Sequence, residues 1–427
     1  MQRLTIKNFG PIKNCDIDVK DFLVLTGPQA SGKSTVAKSV FFFNYLKDIL
    51  FQYVIKTNQR KSLFESRSLK ESFVFEVRNA FVQSFGENVG NTDTSIKYIY
   101  DNGRFVEVTF NESNAGELIV VPKLDNELLK AIEMLDNEIK ENGIKNADDI
   151  RKIIYSDIFK NDMEILYIPA GRSLLTLLSA QIGYLYSVMD DRQKSTMDYC
   201  TQNYLERVLQ IKSYFDRGPS QLLKKELNNN GNIDEAILKM AIVKMEEILK
   251  GEYKNSDGEE LLKLSDNEFI KLNYASSGQQ EAVWITNMLF YYMLGNMKTY
   301  FIIEEPESHL FPEAQKAITE LISIAKNDKN KVLITTHSPY ILGSINNLLY
   351  ADKIGKSKNK EMVEELVSPH MWLSHSVMGA YYLANGVLEN ILDEEYQDIN
   401  HDVIDGVSSV INETYEKLTD LNLDLED

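Results

Sequence analysis

Residues 27–34 read Gly-Pro-Gln-Ala-Ser-Gly-Lys-Ser, and their neighbours decide what the stretch is. An apolar run, Phe22 to Leu25, precedes it, and a helix-patterned segment, Thr35 to Leu50, follows. Strand, glycine-containing loop and helix in that order are the context a phosphate-binding loop requires. Gly27 and Gly32 let the backbone curl until successive N–H groups point into one concavity, an anion-binding nest. The helix that begins near Lys33 adds its positive dipole end to the same spot. Gly27, Pro28, Gln29, Ala30, Ser31, Gly32, Lys33, Ser34 and Thr35 then cradle the phosphates of a nucleotide. Lys33 reaches the outer phosphates, and the Ser34 hydroxyl is placed to ligate Mg²⁺.

Two further stretches narrow the reading. Residues 300–312, Tyr-Phe-Ile-Ile-Glu-Glu-Pro-Glu-Ser-His-Leu-Phe-Pro, form an apolar strand that ends in adjacent carboxylates. A strand end in an open α/β sheet lies at the mouth where ligands bind. Glu304 is expected to hold Mg²⁺ opposite Ser34. Glu305 is expected to polarise the water that attacks the terminal phosphate. Residues 331–342 form a second apolar strand, ending in Thr335-Thr336-His337. His337 leaves its strand as Glu305 does, so it is expected at the same phosphate as a hydrogen-bonding group.

Four segments, TGPQASGKST (26–35), SSGQQE (276–281), IIEEPESHL (302–310) and TTHSP (335–339), occur in this order. Together they resemble the ATPase heads of the ABC superfamily, in the branch of SMC, RecF-like and OLD-type (overcoming lysogenization defect) proteins. The likeness covers roughly residues 1–50 and 265–345. It implies an α/β fold: a P-loop NTPase head of ABC type with an antiparallel β subdomain and a helical insertion. It implies ATP as the nucleotide, Mg²⁺ as its metal, and an ATPase. Ser276, Ser277, Gly278 and Gln279 stand where the family has its signature, the loop that closes on ATP held by the other subunit. A homodimer or higher oligomer is therefore expected. EILYIPAGRS, residues 164–173, occupies the place of the family's Q-loop but contains no Gln. Arg172 is expected to contact phosphate or a magnesium-bound water there, or to pair with a nearby carboxylate.

The same resemblance disfavours some relatives. No membrane-coupling segment of a transporter is recognisable, and the stretch between Ser34 and Ser276 is too short for the long coiled coil of an SMC protein. No strand pattern of an OLD-type nuclease follows His337. The expectation is an ATPase that regulates a separately encoded effector, of the kind found in bacterial anti-phage defence. A RecF-like DNA-binding clamp in repair is the alternative, which leaves nucleic acid open as a partner.

The rest of the chain gives organisation. Residues 3–9 and 16–25 alternate as half-buried strands do. Residues 72–121 read as β-rich, with SFVFEV strand-like and a hairpin at Asn102-Gly103. Residues 173–250 read as helical, 255–260 as a loop, and 280–348 as alternating helices and parallel strands. The expected units are an N-terminal lobe (1–170), a helical insertion (171–265), a C-terminal lobe (266–350) and an extension (351–427).

Net charge is −18, but residues 389–427 hold 13 acidic residues and one Lys, so the body is only mildly acidic. That tail carries apolar residues at helical spacing, Ile404 to Leu425, for packing onto its own domain or for docking a partner. Residues 56–70 carry five basic residues against one acid, a solvated face or a phosphate-backbone contact. No apolar run of about 18 residues occurs, so no membrane span is expected. The start of the chain lacks the apolar core of a signal peptide. The only cysteines, Cys15 and Cys200, have no metal-ligand spacing, and the expected compartment is the cytoplasm.

Overall fold

The strands that frame the phosphate loop come from both ends of the chain. The computed structural model describes residues 2–59, 68–87, 89–114, 116–143, 146–177, 188–190, 197–229, 233–256, 258–356, 360–400, 404 and 412–416. Its strands are β1 (Gln2–Phe9), β2 (Ile12–Val19), β3 (Phe22–Thr26), β4 (Ser95–Ile99), β5 (Phe105–Glu112), β6 (Leu118–Leu124) and β7 (Glu164–Ile168). There follow β8 (Glu252–Ser256), β9 (Glu259–Lys263), β10 (Phe269–Lys271), β11 (Thr299–Glu304), β12 (Lys331–Thr336), β13 (Met378–Ala384) and β14 (Val387–Asn390). One large sheet runs β6-β5-β4-β1-β2-β14-β13-β3-β12-β11-β7, and β10-β9-β8 make a small second sheet.

The large sheet has two characters, and the sequence explains both. Neighbours from β13 to β7 are all parallel. Parallel strands covered on both faces read as unbroken apolar runs. In β3, Phe22 and Val24 join the core on one face, while Leu23 and Leu25 join the core on the other. Helices Ser277–Leu294, Pro312–Ala325 and Pro339–Gly355 cover the first face, and helix Lys33–Gln59 covers the second. From β6 to β2 the pairs are antiparallel, and one face of β1 and β2 is exposed, which gives the alternation seen in residues 3–9 and 16–19. An α/β head with an antiparallel β subdomain is thus the observed architecture.

Several local expectations are corrected. SFVFEV is not a strand: it lies in helix Leu69–Phe85. Aromatic and β-branched density suggested a strand, but Ser68 and Glu71 form a capping box at the helix start. Leu69, Phe73, Val77, Ala80 and Phe81 then fall on one buried face at helical spacing. Phe81 packs edge-on to Phe42 of the loop helix, with ring centroids 5.5 Å apart. Within the expected loop 255–260, Asn255 and Ser256 pair with Glu260 and Glu259 in the β8–β9 hairpin, so the insertion is not wholly helical. The segment expected as a C-terminal extension supplies β13 and β14 to the large sheet. Its strand β13 lies between β14 and β3, beside the phosphate-loop strand. The basic residues Arg60, Lys61 and Arg67 lie outside the described residues, as does most of the acidic tail helix expected beyond residue 400.

Asn385 and Gly386 make the β13–β14 turn with φ of 54° and 82°, the left-handed pair that two-residue hairpins need. The Gly386 carbonyl accepts the N–H groups of Lys13 and Asn14 at 2.8 and 3.1 Å, which pins the turn to β2. A Cβ at Gly386 would sit 2.7 Å from the Pro11 carbonyl oxygen. Gly386→Val is expected to destabilise the protein by about 2–3 kcal/mol, from strain at positive φ together with the clash. Denaturant midpoints of the two proteins check this, and an unchanged midpoint would remove the hairpin from the cooperative core.

Candidate active site

Register brings the three motif ends together. Thr26 of β3 pairs with Thr336 of β12, and Thr335 pairs with Glu304 of β11. Gly27, His337 and Glu305 therefore leave the sheet side by side at its carboxyl edge. The loop from Gly27 to Gly32 takes positive φ at Gly27 (137°), Ala30 (58°) and Gly32 (107°). Helix Lys33–Gln59 starts at its end, where Val36 N donates to Gly32 O at 3.0 Å. Ser34 and Pro28 to Ala30 are exposed on the rim, and Lys33 is buried within it.

The Lys33 ammonium donates to Gly27 O at 2.8 Å and Pro28 O at 2.7 Å, and lies 3.4 Å from His337 Nδ1. Burial pulls its pKa below the usual lysine range, while Glu305, Glu307 and Glu304 push the other way. On the far side of the imidazole, His337 Nε2 lies 3.3 Å from Glu305 Oε1. An ammonium beside Nδ1 and a carboxylate beside Nε2 suit a ring that accepts at Nδ1 and donates from Nε2. Lys33, His337 and Glu305 thus form one chain of polar contacts around the loop. Glu305 holds a left-handed φ of 43°, with its N–H donating to Thr335 O at 2.9 Å.

Glu304 is buried, and its Oε2 accepts the Ala170 N–H at 3.2 Å. Its Oε1 is buried and accepts no hydrogen bond among the described residues. A buried carboxylate oxygen left without a donor beside the loop is what a divalent cation requires, so Glu304 and the exposed Ser34 hydroxyl fit Mg²⁺.

Glu307 was not singled out from the sequence. Its Oε1 accepts both the Thr336 hydroxyl and the His337 N–H at 2.7 Å, which fixes the turn that aims His337. The signal was available: Glu307 is the third glutamate of Glu-Glu-Pro-Glu, one residue past a proline.

Arg172 is corrected away from a phosphate or magnesium-water contact. Its side chain is fully buried, and it follows the alternative, a carboxylate partner. It donates to the carbonyls of Glu281 (2.8 Å), Pro169 (2.8 Å), Glu304 (2.9 Å) and Glu305 (3.0 Å). Glu281, the last residue of SSGQQE, is its buried counter-ion at 3.4 Å.

Ser276 is the N-cap of helix Ser277–Leu294, in a capping box with Gln279. Ser276 and Ser277 are exposed, and Ser276 bonds within its own helical turn. Among the described residues no hydrogen bond joins Ser276, Ser277 or Gly278 to the phosphate loop. Gly278 lies against the backbone after Glu305: a Cβ there would sit 2.6 Å from His309 O.

The chain is similar to several known proteins. A curated relative, the DNA double-strand break repair Rad50 ATPase of Saccharolobus solfataricus, is 26% identical over 162 residues, which are 38% of this chain and 18% of that protein. The chain thus matches less than a fifth of that relative's length. Similar solved structures include the SmcHead bound to the C-winged helix domain of ScpA, with TM-score 0.40, 10% identity, 91% of this chain and 96% of that chain. Another is the Smc head domain with an extended coiled coil bound to the C-terminal domain of ScpA from Pyrococcus furiosus. Its TM-score is 0.38 at 10% identity, covering 96% of this chain and all of that one. Among the described residues no helix is long and apolar enough to cross a membrane. The family model described as "AAA ATPase domain" matches residues 1–342, a span that runs from β1 past the phosphate loop, both carboxylates and His337. The chain belongs to the AAA ATPase domain family and is an ATPase.

Proposed function

We propose that the protein hydrolyses ATP in a head-to-tail dimer with two composite sites, and that closure of the dimer regulates a separately encoded effector. The observation that carries the dimer is the split between two polar surfaces. Lys33, Glu305 and His337 converge on one loop, whereas Ser276 and Ser277 stand exposed at a helix start that makes no hydrogen bond to that loop. A helix N-terminus with hydroxyls suits an anion. Two-fold symmetry lets each protomer offer this one to the terminal phosphate held by its partner.

Within each site the roles follow from position. Gly27 to Thr35 hold the phosphates by backbone N–H groups, and Lys33 neutralises charge at the outer two. Ser34 and Glu304 would hold Mg²⁺, which would supply neutralisation of phosphate charge. Glu305 orients and polarises the attacking water, and His337 donates from Nε2 on the same side. The effector and a defence role rest on resemblance to stand-alone ATPases of this branch.

Ser277→Arg places a bulky cation on the exposed loop and leaves the phosphate loop untouched. It is expected to keep ATP affinity within about threefold while hydrolysis falls roughly a hundredfold. Nucleotide titration and phosphate release measure the two. Hydrolysis at the wild-type rate would end the composite-site reading.

A second reading, a DNA-binding clamp, draws on one observation, the similarity to a protein named for DNA double-strand break repair. Salt-dependent affinity of the isolated protein for DNA ends supports the clamp. Co-purification of a second polypeptide with the native protein supports the effector.

A further inference from the structure

We infer that Arg172 is a positioning residue that locks the carboxylate strand end and the signature helix into one unit, so that a protomer's own phosphate site sets the attitude of the Ser276–Gly278 loop it shows its partner. The second half rests on the composite-site reading above.

Burying a guanidinium is costly unless its donors are satisfied. This one is satisfied by four main-chain carbonyls on three separate segments: Pro169 after β7, Glu304 and Glu305 at the end of β11, and Glu281 in the signature helix. The fork is planar and its donors point in fixed directions. Movement of any one segment relative to the others therefore breaks a buried bond. Glu281 closes the circuit. Its Oε2 lies 3.4 Å from Arg172 Nε, and its Oε1 accepts the Ser173 N–H at 3.1 Å.

The helix is held at a second point. Gly278 seats against His309 O with no room for a side chain, and Ser308 Oγ lies 3.5 Å from Glu305 Oε2. Both anchors of the helix start are thus on the segment that carries Glu305. Glu305 itself sits at a positive φ, a conformation non-glycine residues keep only when neighbours enforce it. Its N–H is held by Thr335 and its carbonyl by Arg172. A change of backbone at Glu305 therefore reaches Glu281, one helical turn from Ser277, through a single side chain.

The test separates a protomer's site from its signature. Protomers with Ser277→Arg keep their own phosphate site, and protomers with Glu305→Gln keep their signature loop. Each alone is expected to hydrolyse ATP at about a hundredth of the wild-type rate or less, and a mixed dimer holds one complete site. Mixing is expected to restore phosphate release. Arg172→Met is then added to the Glu305→Gln protomer, whose own site takes no part in the restored reaction. The restored rate is expected to fall roughly tenfold or more, with that protomer's ATP affinity within about twofold of its parent. Arg172→Lys, which keeps the charge and loses the fork, is expected not to rescue.

Absence of restoration in the parent mixture overturns the composite-site reading and this inference with it. Restoration that survives Arg172→Met undiminished overturns the inference alone. If the Arg172→Met protomer loses ATP binding through misfolding, Glu281→Gln replaces it, since it keeps the helix carbonyl and removes only the counter-charge. A loss of about threefold or more is then expected, and an undiminished rate again overturns the inference.

Discussion

Lys33→Ala is expected to lower ATP hydrolysis about a thousandfold or more and to weaken ATP binding, while the fold survives. The ammonium is the cation at the centre of the loop, bonded to Gly27 O and Pro28 O and next to His337 Nδ1. No other lysine or arginine side chain is hydrogen-bonded to the loop among the described residues. Its removal leaves two loop carbonyls without that donor and takes away the charge that opposes the outer phosphates. A shift of the melting temperature by only a few degrees, about 1–2 kcal/mol, is the expected structural cost. Phosphate release, nucleotide titration and thermal unfolding measure the three effects. Hydrolysis at the wild-type rate would place the reaction somewhere other than this loop.

Glu305→Gln is expected to slow hydrolysis roughly a hundredfold to ten-thousandfold while ATP still binds. The side-chain shape is kept, so the neighbours His337 and Ser308 retain a polar partner. What disappears is the negative charge that polarises water. ATP then persists in the site, and the dimer it bridges should accumulate, because a ligand that binds only the closed form stabilises that form. Light scattering is expected to show the molar mass doubling on addition of ATP. Fast hydrolysis in this variant would remove Glu305 as the water-polarising group. Slow hydrolysis with no ATP response in mass, or in cross-linking near Ser277, would remove the dimer and leave the site.

The sequence made the central strands and their motifs legible for physical reasons. Strands β3, β11 and β12 are covered on both faces, so they appear as apolar runs, and each ends in the polar residues that its chemistry requires. What it hid depends on distant partners. Helix Leu69–Phe85 carries the residue types of a strand, and the faint capping box at Ser68 and Glu71 outweighs them only because Phe9 and Phe42 lie where Phe81 can pack. Asn385-Gly386 gives the same hairpin signal as Asn102-Gly103, yet a hairpin signal names no neighbour beyond its own two strands, so the place of β13 beside β3 could not be read locally. From the sequence, Arg172 is open to two readings, a phosphate or magnesium-water contact and a carboxylate's partner. Only the fold brings the carbonyls of Glu281, Glu304 and Glu305 around it.

The seat of β13 sets the order in which this protein can come alive on the ribosome. The phosphate loop is translated long before β13, the strand that begins at Met378 and hydrogen-bonds along one side of β3. Its Leu383 carbonyl also lies where a side chain at Gly27 would have to go. A nascent chain can form the β1–β2 hairpin early, because its contacts are local. Until β13 has left the exit tunnel, β3 keeps an unpaired edge next to the phosphate loop. Such edges are the stretches that aggregate or recruit chaperones. A chain that stalls short of β13 therefore carries the phosphate loop, Glu304, Glu305 and His337 without the strand that finishes their sheet.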